Sequence, residues 1–331
     1  MPQDPSSELD PDALKALLPP AVAALVQSIK VTGSRAIIVA DVGNIPSVEH
    51  KALENTIKQN LEGTPGLTDV LCALTADRPR RSIIAIGSGK GGVGKSTLTT
   101  NLAVAMAQLG RKVGVIDGDI YGPSQPKLLA TENRKPAADD DTKKLIALDS
   151  PHGVKVLSMG HLVAPGKALA WRGPMAGKAL GQLVDADWGD TDLLLIDLPP
   201  GTGDVQLSMM ADNKPDGAVL VSTPQDLALI DAARAGQLFE QGGIPIIGLV
   251  ENMAGYACPH CGEISDPFGQ GGVEKFASAL EIPFWGRIPL AMEIRQSGDS
   301  GTPPAAGDAG YGKPFEDVAK HFLHWLSSEA K

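Results

Sequence analysis

The stretch Ser82-Ile-Ile-Ala-Ile-Gly-Ser-Gly89-Lys-Gly-Gly-Val-Gly-Lys95-Ser96-Thr97 decides the fold of this chain. The aliphatic run Ile83–Ile86 predicts a buried strand, and Leu98 to Leu109 predicts a helix. The segment between them satisfies G-x-x-x-x-G-K-[ST] in the strand–loop–helix setting that the motif requires. Its glycines let successive backbone N–H groups turn inward around anionic oxygens. Lys95 brings a positive charge to the outer phosphates, Ser96 offers a hydroxyl to Mg²⁺, and the helix start adds the positive end of its dipole. Gly89, Lys90, Gly91, Gly92, Val93, Gly94, Lys95, Ser96 and Thr97 are therefore candidate ATP-binding residues, with Lys95 also a candidate catalytic residue.

Downstream, aliphatic runs alternate with helical stretches: Val113–Ile116, Val154–Met159, Leu193–Ile196, Ala218–Val221 and Ile246–Val250. Continuous aliphatic strands separated by helices predict a mostly parallel sheet buried on both faces, a doubly wound α/β fold. Phe315, Val318, Phe322 and Leu326 predict a closing amphipathic helix, and Gly298 to Gly312 reads as a surface loop. Upstream, residues 1–12 read as a flexible tail. Leu14 to Ile29 has helical apolar spacing broken at Pro19-Pro20. Arg35–Asp41 and Val70–Leu74 read as strands flanking a helix whose face carries Val48, Leu53, Ile57 and Leu61. The expected organisation is a tail over 1–12, a small α+β domain over 13–76, a charged linker over 77–82 and a P-loop NTPase domain over 83–331.

Composition narrows the function. In 331 residues, 29 Lys+Arg face 39 Asp+Glu, a net charge of −10, which argues against the whole chain binding nucleic acid or an anionic membrane by electrostatics. No apolar run approaches the ~18–20 residues of a membrane span. Asp4, Glu8, Asp10 and Asp12 precede the first Lys, unlike a secretory or transit signal, so a cytoplasmic protein is expected. Three cysteines, Cys72, Cys258 and Cys261, cannot close a disulfide framework.

Two acidic clusters follow strands. Asp117-Gly-Asp119 ends the strand after the P-loop helix, and Asp197 ends Leu193–Ile196 ahead of Leu-Pro-Pro-Gly201-Thr-Gly-Asp204. Acids at the carboxyl ends of parallel strands face the ligand crevice. Asp197, after four aliphatics, suits a carboxylate that holds Mg²⁺ together with Ser96. Asp119 is the candidate for orienting the attacking water. For Asp117 and Asp204, functional and structural roles both stay open.

Cys258-Pro-His-Cys261 follows the strand Ile246–Val250. Three readings compete: a redox pair would sit at a helix N-terminus, and Gly262, Pro267 and Gly269 after the cysteines weaken that reading. An intrachain zinc site needs four ligands, and only His260 and distant Cys72 are on offer. The third reading is half a site, with two thiolates per chain and four across a two-fold dimer, a set that suits [4Fe–4S] or Zn²⁺.

Taken together, Gly89–Thr97, Asp117-Gly-Asp-Ile-Tyr-Gly-Pro-Ser124, Trp171-Arg-Gly-Pro-Met175, Ile196–Asp204, Thr223-Pro-Gln225 and Glu251-Asn-Met253 with its Cys-Pro-His-Cys261 resemble the Mrp/ApbC group of iron–sulfur carrier ATPases. The early Lys90 resembles the deviant Walker A loop of the MinD/ParA class, in which this lysine acts across a dimer interface, and so joins Lys95 and Asp119 as a candidate catalytic residue. The resemblance implies a homodimer that bridges one labile [4Fe–4S] cluster through Cys258 and Cys261. It implies ATP hydrolysis coupled to delivery to apo-proteins, and it implies that Asn252 lies on the adenine side. Residues 13–76 partly resemble a MIP18-like domain, with Gly43-Asn-Ile-Pro46 where that family has a Thr-x-x-x-Cys-Pro stretch; Cys72 there reads as a structural thiol. Two rivals are a MinD/ParA-like positioning switch and a dimer held by structural zinc.

Overall fold

The computed structural model describes residues 9–42, 45, 47–75, 81–162, 173–307 and 310–329. It divides into two compact units, Met1–Arg80 and Arg81–Lys331.

The first unit runs α1 (Pro11–Ala16), α2 (Pro20–Ala23), β1 (Val26–Thr32), β2 (Arg35–Asp41), α3 (Ser47–Leu61) and β3 (Asp69–Thr75). Its sheet order is β1-β2-β3, antiparallel between β1 and β2 and parallel between β2 and β3. Leu53, Ile57 and Leu61 of α3 bury against Ile38 and Ala40 of β2 in one core. Two expectations change here. The helical spacing of Leu14 to Ile29 gives two short helices, and Val26–Thr32 is a strand. Pro20 restarts a helix of only one turn, and the β-branched Ile29 and Val31 pair across the tight turn at Gly33, whose φ is +61°. The helical region also begins inside the expected tail, at Pro11, where the Asp10 side chain caps the first turn. Cys72 lies in register with Ile38, packs on this core, and has its thiol pKa pushed up by burial.

The second unit runs β4 (Ser82–Gly87), α4 (Lys95–Gln108), β5 (Val113–Asp117), α5 (Gln125–Leu128), β6 (Leu148–Asp149), β7 (Lys155–Ser158), α6 (Met159–Leu162), α7 (Gly173–Val184), β8 (Leu193–Asp197) and α8 (Asp204–Asp212). It continues with β9 (Gly217–Ser222), α9 (Asp226–Gln241), β10 (Ile246–Asn252), β11 (Tyr256–Ala257), β12 (Ile264–Ser265), α10 (Gly272–Ala279), β13 (Phe284–Ile288), α11 (Met292–Ser300) and α12 (Lys313–Glu329). Among the described residues, eight strands form one sheet in the order β13-β10-β9-β4-β8-β5-β7-β6. Neighbouring strands are parallel except β6, which runs antiparallel to β7 at one edge. β5, β8 and β9 are buried at every position, as strands covered on both faces must be. One face packs under α4 and α12, the other under α7, α8, α9 and α10. This is a doubly wound P-loop NTPase fold. From the central β4 the chain winds out through β5 to β7, returns to insert β8, and then crosses β4 to β9, β10 and β13. The carboxyl ends flanking β4 therefore frame the crevice where such sheets bind ligands.

Gly298 to Gly312 differs from the expected surface loop. Its first residues finish α11, and Pro304 and Ala305 are buried where the Ala305 N–H donates to Asn101 Oδ1 at 2.9 Å. Among the described residues, no helix is long and apolar enough to cross a membrane.

Candidate functional site

Helix α4 begins at Lys95, three residues before the aliphatic spacing at Leu98, because Gly94 ends the loop with φ +86° and stands as N-cap. Two glycines here are fixed by close approach. A Cβ on Gly94 would sit 2.1 Å from Asn252 Nδ2, and one on Gly89 would sit 2.0 Å from the Asp231 carbonyl oxygen in α9. The loop is braced from several strands. Ser88 Oγ donates to the Lys90 carbonyl at 3.0 Å, Gly201 N–H donates to the Ser88 carbonyl at 3.1 Å, and Asn252 Nδ2 donates to the Val93 carbonyl at 2.7 Å.

Below the loop lies a buried polar knot. Lys95 Nζ pairs with Asp197 Oδ1, the carboxylate being wholly buried and the lysine 5% exposed. Asp197 also accepts from Thr99 Oγ1 at 3.3 Å and from Gln125 Nε2 at 3.0 Å. Gln125 Nε2 also donates to the Ser96 carbonyl, and the Gln125 N–H donates to Asp117 Oδ2, both at 3.0 Å. Asp117 stands directly across from Asp197 in the β5–β8 register. It accepts from Ser158 Oγ at 2.9 Å and from the Asp119 N–H at 3.1 Å. Burial, and after it the nearby Asp197 charge, push Asp117 up to about 7, because both disfavour its ionised form. Asp119 is buried to 8% exposure, and its Oδ1 is held by the N–H groups of Tyr121 and Gly122 at 3.0 and 3.2 Å.

Lys95, Ser96, Thr97, Asp117, Asp119, Asp197 and Asn252 thus gather around the carboxyl ends of β4, β5, β8 and β10. Lys90 is exposed at the outer edge of the loop. The side chain of Asp204, and Trp171 and Arg172 with it, lie outside the described residues, as do Gly43, Asn44 and Pro46. Thr99, Gln125 and Ser158 were not singled out from the sequence, nor was the buried Glu251, which lies outside this knot. Gln125 and Ser158 carry no spacing signal, since their roles depend on register between strands distant in sequence. Glu251 did carry one. It is an acid after the aliphatic strand run Ile246–Val250, the same signature that singled out Asp197.

The cysteine pair lies beyond the carboxyl end of β10, in a separate two-stranded sheet. The chain leaves β10 and builds an antiparallel hairpin, in which Tyr256 and Ala257 pair with Ser265 and Ile264. Cys258-Pro-His-Cys261 occupies its tip. The Cys258 N–H donates to the Glu263 carbonyl at 2.9 Å, and the Gly262 N–H donates to the Cys258 carbonyl at 2.8 Å. Gly262 turns the chain with φ +75°. Bonds from the backbone N–H groups of His260 and Cys261, and from the Cys261 side chain, lower the Cys258 thiol pKa. N–H groups aimed at sulfur favour thiolate, the form that ligates metal. No helix starts here; the next one begins at Gly272. Among the described residues, no three His, Cys, Asp or Glu side chains converge to hold a metal ion.

Comparisons with known proteins give the family and the fold. The profile of the family described as "ParA: NUBPL iron-transfer P-loop NTPase" matches residues 80–323. The chain is 45% identical over 250 residues to an Arabidopsis thaliana mitochondrial iron–sulfur protein required for NADH dehydrogenase, covering 74% of this chain and 79% of that protein. It is 47% identical over 224 residues to the iron–sulfur cluster carrier protein of Escherichia coli K12, covering 67% of this chain and 60% of the relative. Among solved structures, a nucleotide-binding protein from Archaeoglobus fulgidus in complex with ADP shares 38% identity at a TM-score of 0.61, over 71% of this chain and 91% of that one. The septum-site-determining protein MinD of Pyrococcus horikoshii, complexed with Mg-ADP, shares 25% identity at a TM-score of 0.56, over 76% and 99%.

Proposed function

Because the chain belongs to the family of iron-transfer P-loop NTPases, we propose that it is an ATP-dependent iron–sulfur cluster carrier, working as a homodimer in the cytoplasm. Each protomer contributes Cys258 and Cys261 to one labile [4Fe–4S] cluster, which is its cargo, and apo-proteins receive it. The observation that carries this reading is the thiol pair at the tip of an exposed hairpin, rooted in the strand whose last residue, Asn252, bonds the phosphate loop.

Backbone N–H groups from Gly89 to Thr97 bind the phosphates, and Asn252 borders the base. Lys95 trades Asp197 for phosphate oxygen when nucleotide enters. Ser96 and Asp197 are hard oxygen donors that fit Mg²⁺. An ammonium already stands between them, paired with Asp197 and 3.4 Å from Ser96 Oγ, so a cation suits the position. Bound Mg²⁺ would offset charge on the phosphates. Asp119, held by two backbone N–H groups, orients the attacking water. Lys90, exposed and outermost on the loop, reaches the partner protomer's nucleotide.

Anaerobic reconstitution with iron and sulfide tests the reading. About four irons per two chains are expected, as a cluster held by four cysteines demands, together with dimerisation on loading and Mg²⁺-dependent ATP hydrolysis. Four irons per monomer would sink the bridging arrangement. Zinc bound at one per dimer, with no cluster formed, would move the reading to a structural clamp.

A further inference from the structure

Glu251 is a wholly buried carboxylate that the nucleotide and cysteine sites leave without a role. On a strand, consecutive side chains point to opposite faces. Asn252 uses one face to reach the Val93 carbonyl in the phosphate loop. Glu251 uses the other. Its Oε1 accepts from the Gly271 N–H at 3.0 Å and from Arg287 Nε at 3.0 Å, and its Oε2 accepts from the Val273 N–H at 2.9 Å. Gly271 and Val273 are the residues at which the chain returns from the cysteine hairpin to start α10.

The excursion over 253–270 therefore leaves directly after the Glu251-Asn252 pair and comes back to the Glu251 carboxylate. Its outgoing side is tied to the end of β13, where the Ala254 N–H donates to the Ile288 carbonyl at 3.0 Å and the Leu290 N–H to the Gly255 carbonyl at 2.9 Å. Its returning side presses on the turn before α9: a Cβ on Gly272 would meet the Pro224 carbonyl oxygen at 2.3 Å. Helix α9 in turn abuts Gly89 of the phosphate loop. Both routes from the loop to the hairpin pass through packed, hydrogen-bonded backbone, and Glu251 is where the hairpin's return is fastened.

We propose that Glu251 is a positioning residue. Its carboxylate fastens the base of the Cys258–Cys261 excursion to the strand that touches the phosphate loop, so that nucleotide binding changes the reactivity of the two thiols. This rests on the cluster-carrier reading, but its test uses iron-free protein and separates the two. Alkylation rates of Cys258 and Cys261 are measured by mass spectrometry with and without Mg-ADP. The parent should show a change of about fivefold, the lower end of ordinary coupling between sites, and Glu251→Gln should hold it below about twofold. Nucleotide affinity should stay parental, because Glu251 faces away from the loop. Should Glu251→Gln fail to fold, Arg287→Lys, at a half-buried position, removes the Nε bond to Glu251 together with the Nη2 pair to Glu274, and should shrink the nucleotide effect where Glu274→Gln, which loses only the second, does not. A parental nucleotide effect in the folded variant overturns the assignment. So does the absence of any effect in nucleotide-saturated parent, or a loss of nucleotide affinity in Glu251→Gln. Failure of the carrier reading would appear separately, as no iron retained by the parent on reconstitution.

Discussion

The phosphate loop and the cysteine hairpin solve opposite problems. Around the loop, charged groups are buried and matched within the chain: Lys95 to Asp197, Asp197 to Gln125 and Thr99, Asp117 to Ser158. At the hairpin tip, Cys261 is exposed and Cys258 half-buried, and their hydrogen bonds come from within the turn. A site that holds a ligand entering from solvent can take most of its contacts from one protomer. On the proposed reading, a site that must give its cargo away is better built from weakly enclosed ligands, shared with a second chain and open to a recipient. The two differ also in what substitution does. In the knot, removing one partner leaves a buried charge behind, whereas at the tip it removes a ligand and disturbs little else.

The sharpest break of this comparison is the loss of either cysteine. Cys258→Ala or Cys261→Ala should take reconstituted iron to near zero with Mg-ADP affinity at the parental level. Cys72→Ser, in the first unit's sheet, should keep parental iron. Iron retained by Cys258→Ala would end the distinction between the regions.

Lys95→Ala should do the reverse, abolishing ATP hydrolysis and weakening nucleotide binding more than tenfold, since a charge-assisted contact contributes about 1.5–3 kcal/mol. Iron uptake should persist. The variant should also melt at a lower temperature, because Asp197 loses its buried cation. Parental hydrolysis would remove Lys95 from the site.

Lys90→Ala should be milder. The side chain is exposed, so stability and nucleotide affinity should hold while turnover falls severalfold, the pattern of a group acting on transition-state charge. An unchanged turnover number would return Lys90 to an ordinary surface lysine.

The last effect concerns pH. Asp117 is raised from 3.8 to about 7 by burial and by Asp197. A raised carboxyl stabilises the fold below its unfolded value, and that contribution is lost as pH climbs through the folded value. Between about pH 4 and pH 7, melting temperatures measured in chelator should therefore fall with a component that Asp117→Asn removes. Equal slopes in parent and variant would show that the carboxyl does not titrate there.

Much of this was legible in the sequence because it is local. The loop glycines, Lys95 and the strand-end acids lie within one strand–turn–helix unit each, and the Cys-Pro-His-Cys turn carries its own geometry. The missed parts depend on distant register. Phe284–Ile288 hides as a strand because Gly286 and Arg287 interrupt its apolar run. Leu148–Asp149 pairs over only two residues. The start of Val26–Thr32, up to Ile29, reads as helix until its antiparallel partner supplies the ladder. Gln125 and Ser158 matter only because β5, β7 and β8 lie side by side.

The two crowded glycines of the phosphate loop have a consequence for any survey of substitutions. Positions 89 and 94 should both score as intolerant, yet for causes that respond differently to a second change. At 89 the obstacle is the Asp231 carbonyl, part of a helix backbone that no side-chain replacement removes. At 94 the nearest obstacle is the Asn252 amide, which a shorter residue would withdraw, leaving only the strain of φ +86°. Position 94 should thus show epistasis with 252, and position 89 should show none with any single neighbour.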